Sequence, residues 1–231
     1  MNRKWFVILF VTGILIVLFP HIAQIYHQYM QKNDVERFQM TSEMISEEKI
    51  EMLHDKAITC NEQIITLTEK INDPFDSNHD KLSTFNECLG IEDNTMFGAI
   101  EIPKLQLMIP IYLGSSEDVL RKGIGHVEGS SLPLGGKGTH SVLAGHRGMG
   151  TKAMFRNIDQ LDVGDIIYIY TMGETLTYII NGQEVIYPHE TESLNIREDK
   201  DLVTLLTCHP YRHNYQRLLV QAERKGSPPA K

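Results

Sequence analysis

A chain of 231 residues holds one sizeable domain plus an appendage, and its 42% hydrophobic and 23% charged residues exclude wholesale disorder. A net charge of −8, with no basic stripe or stacking-aromatic platform, excludes a nucleic-acid binder. Cys60, Cys88 and Cys208 are too few for a disulfide-dense scaffold and form no C-x-x-C pair, and their odd number leaves at least one thiol free, assigned to Cys208.

Asn2, Arg3 and Lys4 form a short basic head, after which Trp5 to Phe19 run uncharged and almost wholly apolar. As a helix this run rises about 22 Å, short of the ~30 Å hydrocarbon core, and Ile22 to Tyr26 make up the difference. No A-x-A cleavage site follows in Phe19-Pro20-His21-Ile22-Ala23. Residues 1–21 are therefore expected to be an uncleaved signal-anchor, with a secreted leader as the alternative. Arg3 and Lys4 keep the N-terminus in the cytoplasm and export the rest.

Residues 22–96 read as a helical region packed on the main domain. Ile22, Ile25, Tyr26, Tyr29 and Met30 fall at helix spacing, and Met44, Ile45, Ile50, Leu53, Ala57 and Ile58 mark a second amphipathic helix. Thr41-Ser42-Glu43 is the expected break, with Ser or Thr capping the second helix. Residues 72–80, rich in Asp, Asn, Pro and Ser, predict an exposed loop in which Phe75 is out of place. Cys60 and Cys88 flank that loop and are expected to be free thiols, although export would permit a bond.

From Phe97 the period becomes that of strands. Residues 97–102 and 108–112 pair about Pro103-Lys104-Leu105, and Ser115 to Leu120 carry a capped helical turn. The glycine-rich passage from Gly123 to Gly138 lacks phosphate-loop spacing and reads as turns. Thr139 to Gly148 predict a strand with His140, Val142, Ala144 and His146 on one face. Met154 to Ile158 predict a short helix. Further strands are expected at Ile166–Tyr170, Leu176–Tyr187, Val203–Cys208 and Gln216–Arg224. The fold class is mainly β: a closed barrel of about eight strands over 97–225 with short helices, then a flexible tail at 226–231.

The Val203–Val220 stretch carries the chemistry. A charge-free strand ends on Cys208, Pro210 stops the ladder, and a return strand brings Arg217 back beside the thiol. A cation there stabilises a thiolate. Without a partner this is only a buried Cys in a hairpin with a solubilising Arg. The partner is a histidine: periodicity does not choose between His140 and His146, but Gly145 and Gly148 favour His146 at an open strand end. His209 neighbours Cys208 but points to the opposite face. No His/Cys set has metal-ligand spacing, so neither metal nor cofactor is expected.

Thr204-Leu205-Leu206-Thr207-Cys208-x-Pro210-Tyr211-x-x-Asn214-x-x-Arg217-Leu218-Leu219-Val220 resembles the active-site signature of sortases, membrane-anchored cysteine transpeptidases of Gram-positive bacteria. Gly125-His126-x-x-Gly129 through Leu143-Ala144-Gly145-His146-Arg147-Gly148 is similar to the family's histidine region. With these motifs, Asp73-Pro74-Phe75 resembles the lid of class C, the pilin-polymerising members. The resemblance implies a sortase barrel with Cys208 as nucleophile, His146 as acid and base, and Arg217 as oxyanion and substrate holder. It also implies a lid of Asp73, Pro74 and Phe75, with Thr207, Ala144 and His126 as substrate contacts. The implied reaction cleaves an LPXTG-like sorting signal between Thr and Gly and passes the acyl group to a pilin lysine. Partners are then pilin subunits and the cytoplasmic membrane, with the catalytic domain on the cell-wall side. A housekeeping sortase, a thiol peptidase using water, and a non-catalytic scaffold barrel remain the alternatives.

Overall fold

The computed structural model describes residues 3–67, 71–76, 84–92 and 95–226. The expected lid residues 77–80 and tail residues 227–231 lie outside them. Helix α1 (Arg3–Glu43) runs without interruption through Pro20, and its first part is long and apolar enough to cross a membrane. Helix α2 (Glu47–Leu67) follows a break later than expected. Thr41 and Ser42 donate their hydroxyls back to Arg37 and Phe38 carbonyls and so close α1, while the Ser46 carbonyl opens α2. A short helix α3 (Thr84–Leu89) precedes the strands.

Eight strands then close into a barrel. They are β1 (Met96–Ile102), β2 (Leu107–Leu113), β3 (Ile124–His126), β4 (Thr139–Ala144), β5 (Ile166–Thr171), β6 (Glu174–Ile186), β7 (Asp201–His209) and β8 (Gln216–Arg224). Their order around the barrel is β1-β2-β3-β4-β7-β8-β6-β5, with β2/β3 and β4/β7 parallel. Helix α4 (Glu117–Lys122) sits between β2 and β3, capped by the Ser116 hydroxyl accepting from the Val119 amide. The expected turn-only passage contains β3, because Ile124 to His126 pair with both β2 and β4. The helix expected at Met154–Ile158 is a set of turns, with a short 3-10 helix only at Ile158–Gln160.

Ile100, Ile109, Phe155, Ile167, Val203 and Val220 are among the residues filling the barrel. Strand β7 is buried on both faces, which is why its sequence reads as a continuous apolar run. Val203 and Leu205 point into the barrel, whereas Leu206 points out, against Val142, Ala144, Leu194, Ile71 and the half-buried Phe75. Strand alternation puts Cys208 on that outer face with Leu206. The site is thus built on a covered patch of the barrel's outer wall.

Helices α2 and α3 pack on the barrel. The Asn61 side-chain oxygen accepts from the Leu132 amide at 2.7 Å, and Ala57, Phe85 and Leu89 share a core with Phe97, Leu113 and Leu132. This packing overturns the expectation of free thiols: Cys60 and Cys88 form a disulfide. Packing α2 against α3 brings their Cα atoms to 5.9 Å, within bonding reach. A closed loop spanning 28 residues stabilises by about 3–4 kcal/mol in the chain-entropy model. Denaturant titration of the Cys60→Ser, Cys88→Ser double variant should show a loss of that order, and an unchanged midpoint would remove the bond from the stability account.

His126 is fully buried, its Nε2 lying 2.9 Å from the Ser131 carbonyl and 3.1 Å from the Ser130 hydroxyl, with the Phe85 ring edge-on at 5.2 Å. Burial pushes its pKa down to about 4. A folded pKa below the unfolded one means that the unfolded chain binds the extra proton first as pH falls. Stability should therefore decline between pH 6.5 and about 4, and His126→Asn should flatten that stretch of the Tm-against-pH curve.

Candidate active site

Strand register delivers the first two groups. Cys208 and Arg217 are directly opposed across the β7/β8 ladder, so their side chains leave the same face of the sheet. The β7–β8 turn begins at the cis peptide His209–Pro210 and includes Asn214 at φ 61. Arg217 Nη1 donates to the carbonyls of Asn214 and Gln216 at 2.9 and 2.8 Å. The turn thereby fixes one edge of the guanidinium.

Its other edge is occupied by Asp73. Arg217 Nε donates to Asp73 Oδ1 at 2.7 Å and Nη2 to Oδ2 at 2.6 Å, a bidentate pair with both side chains about nine-tenths buried. Pro74 is buried too, which corrects the expectation of a fully exposed loop. Phe75 stacks its ring 5.2 Å from the Arg217 guanidinium carbon and 6.2 Å from the His146 ring. Polar in composition as this stretch is, Asp73 and Phe75 both find partners on the barrel wall.

His146 arrives from a loop. Strand β4 ends at Ala144, so the expected shared face of His140 and His146 stops there. His140 instead lies buried, contacting the Thr204 hydroxyl at 2.7 Å and the Asn195 carbonyl at 3.1 Å. At Gly145 a Cβ would come within 2.7 Å of Ile124 and 2.8 Å of Phe155, so only glycine lets the chain leave the barrel there. The Thr207 hydroxyl donates to the Gly145 carbonyl at 2.7 Å, and the Phe155 amide donates to that of His146 at 3.0 Å. These bonds set where the imidazole stands.

Pro74, Phe75, Glu117, His146, Cys208 and Arg217 line one cavity of about 680 Å³. The three side chains expected to act together thus face one space. The three expected substrate contacts do not: Ala144, Thr207 and His126 are each fully buried. Thr207 serves the site by holding Gly145, and His126 belongs to the helix–barrel core. Among the described residues, no three His, Cys, Asp or Glu side chains gather to hold a metal ion.

Burial pushes the Cys208 thiol up; Arg217 and Arg147 pull it down, while Asp73 pushes it up. The balance is a thiol pKa above its ordinary value, with burial as the main cause. Burial lowers the His146 pKa, the Glu117 carboxylate raises it, and Arg121 lowers it. Two residues escaped the sequence reading. Arg147 is buried, pairing with Asp159 at 3.0 Å and lying 3.1 Å from His209 Nδ1 and 3.5 Å from the Cys208 carbonyl oxygen. Its position next to His146 was the available signal. Glu117, 3.8 Å from His146 Nε2, had no signal beyond an acidic first turn.

Comparison with known proteins agrees with this geometry. A family model described as Sortase domain matches residues 100–225. Sortase D of Bacillus subtilis (strain 168) is 30% identical over 116 residues, 50% of this chain and 56% of that protein. Sortase A of Bacillus anthracis is 30% identical over 139 residues, 59% of this chain and 63% of its own length. The chain thus spans little more than half the length of the curated relatives it matches. Among solved structures, sortase C of Streptococcus pneumoniae, described in connection with pilin substrate specificity, is 34% identical with a TM-score of 0.76, covering 84% of this chain and 96% of that one. Sortase C from Clostridium perfringens SM101 is 35% identical with a TM-score of 0.70, covering 84% and 98%.

Proposed function

The chain belongs to the sortase family, and from that premise we propose that it is a membrane-anchored cysteine transpeptidase that joins pilin subunits. It cleaves an LPXTG-like sorting signal between Thr and Gly and passes the acyl group to a lysine amine. One observation carries the reading: Cys208, His146 and Arg217 line a single cavity beneath a lid whose Asp73 occupies the guanidinium. The likeness to a sortase C described with pilin substrate specificity supports pilins as substrates. The apolar first part of α1, preceded by a basic head, supports an N-terminal anchor with the barrel on the cell-wall side.

The lid acts as an internal competitor. The Asp73 carboxylate takes the donors that a substrate oxyanion needs, and its charge adds to burial in pushing the thiol pKa up. When the sorting signal displaces it, Arg217 is freed toward the scissile carbonyl and its charge favours the thiolate. Cys208 passes its proton to His146 and its sulfur attacks the Thr carbonyl carbon; the imidazolium then gives that proton to the leaving glycine nitrogen as the C–N bond breaks. The acceptor lysine then loses a proton to His146 and attacks the thioester. A new amide forms and the thiol leaves, restoring the enzyme.

Incubation with pilins that carry sorting signals should give covalent ladders that Cys208→Ala abolishes. Release of cleaved pilin as free acid alone would instead assign water as the acceptor.

A further inference from the structure

The sortase reading leaves open how an amine, protonated in solution, is brought to the histidine that must take its proton. The incoming amine retraces the path of the leaving one, because the same imidazole serves both. That path lies in the 680 Å³ cavity, which includes His146. A second hollow of about 480 Å³, across Phe75 and Arg217, is lined by Ile71, Pro188 and Thr191 and does not include His146. The amine therefore enters at the α4 end of the first cavity.

Glu117 stands there. Its Oε1 accepts from Arg121 Nε at 3.0 Å, while Oε2 lies 3.8 Å from His146 Nε2. That imidazole nitrogen is buried and makes no hydrogen bond among the described residues. The carboxylate is mounted firmly: the Ser116 hydroxyl caps α4, and the Ser115 amide and hydroxyl donate to the two Glu128 oxygens at 3.2 and 2.9 Å. The side chain itself is about 60% exposed, open to an arriving cation.

We infer that Glu117 is the acceptor-selecting residue of this enzyme, drawing the ammonium of a lysine side chain into the cavity beside His146. The inference rests on the transpeptidase reading above. Arg121 competes for the same carboxylate and so tunes its strength. A carboxylate at that distance attracts the ammonium and steadies the imidazolium that forms when the amine gives up its proton. It offers nothing comparable to water, so it biases the thioacyl enzyme toward aminolysis.

The test compares two acceptors at neutral pH on the full chain: acetyl-lysine amide, which is cationic, and hydroxylamine, which is mostly neutral. Glu117→Gln should lower the lysine-over-hydroxylamine ratio of kcat/KM about fivefold, mainly through the KM for the lysine amide. Glu117→Asp should recover part of the ratio, and Arg121→Ala should move it the opposite way. An unchanged ratio in Glu117→Gln, with a thioacyl adduct still detected on Cys208 by mass spectrometry, would overturn the inference alone. Failure of the unsubstituted enzyme to form that adduct would overturn the transpeptidase reading and this inference with it.

Discussion

Replacing Arg217 with alanine is expected to slow thioacyl formation by about 10²–10³-fold while making the Cys208 thiol easier to alkylate. The two effects run in opposite directions because one guanidinium does two jobs. On the proposed mechanism it is the donor that faces the oxyanion, and it is also the anchor that Asp73 grips at 2.7 and 2.6 Å. Removing it would free Asp73 and uncover the thiol, but it would also take away a cation that lowers the thiol pKa. The gain in labelling is therefore read at a pH that ionises the thiol, and on the proposed mechanism the transition-state charge loses its partner. Arg217→Lys should restore little, since a single ammonium matches neither the bidentate Asp73 pair nor the two turn carbonyls that fix the fork. Peptide-cleavage kinetics and thiol labelling on the same samples decide the matter. If labelling also fell at a pH high enough to ionise the thiol in both proteins, Asp73 would not be what covers it.

Asp73→Ala should speed labelling of Cys208 by at least about tenfold, equivalent to ~1.4 kcal/mol off the closed lid. Both side chains of the pair are about nine-tenths buried, so removing one strands a buried charge and penalises the closed state. Chemistry adds to access. Asp73 is one of the groups pushing the thiol up, so its loss lowers the Cys208 pKa and moves the labelling profile to lower pH. Phe75→Ala should also accelerate labelling, but without the charge-driven shift in the profile, because its ring contacts with Arg217 and His146 only cover the site. Unchanged labelling in both variants would mean that the tripeptide is a simple turn.

On the proposed mechanism the rest state is self-occluded, with the Asp73 carboxylate on the guanidinium that substrate charge would need. The disulfide bears on the same element. Cys60 and Cys88 bracket residues 71–76, so the chain carrying Asp73 and Phe75 is tied to the helix–barrel core on both sides.

The amino-acid sequence alone determined the barrel and the Cys208–Arg217 half of the site, because both rest on short-range rules. A charge-free strand, a proline stop and a return strand specify a hairpin, and hairpin register places position 217 opposite position 208 whatever surrounds them. Composition likewise separated the apolar N-terminal helix from the strands. Tertiary packing decided the rest. His146 faces the cavity because Gly145 squeezes between Ile124 and Phe155 and Thr207 ties that glycine's carbonyl, none of which strand periodicity encodes. Ala144, Thr207 and His126 sit inside motifs that read as functional, yet all three are fully buried, Thr207 holding the Gly145 carbonyl and His126 lying against Phe85 in the helix–barrel core. The bond between Cys60 and Cys88 and the approach of Glu117 to His146 both depend on where separate helices settle on the barrel. Contacts between elements far apart in the chain are set by the fit of whole surfaces, and local pattern carries no record of that fit.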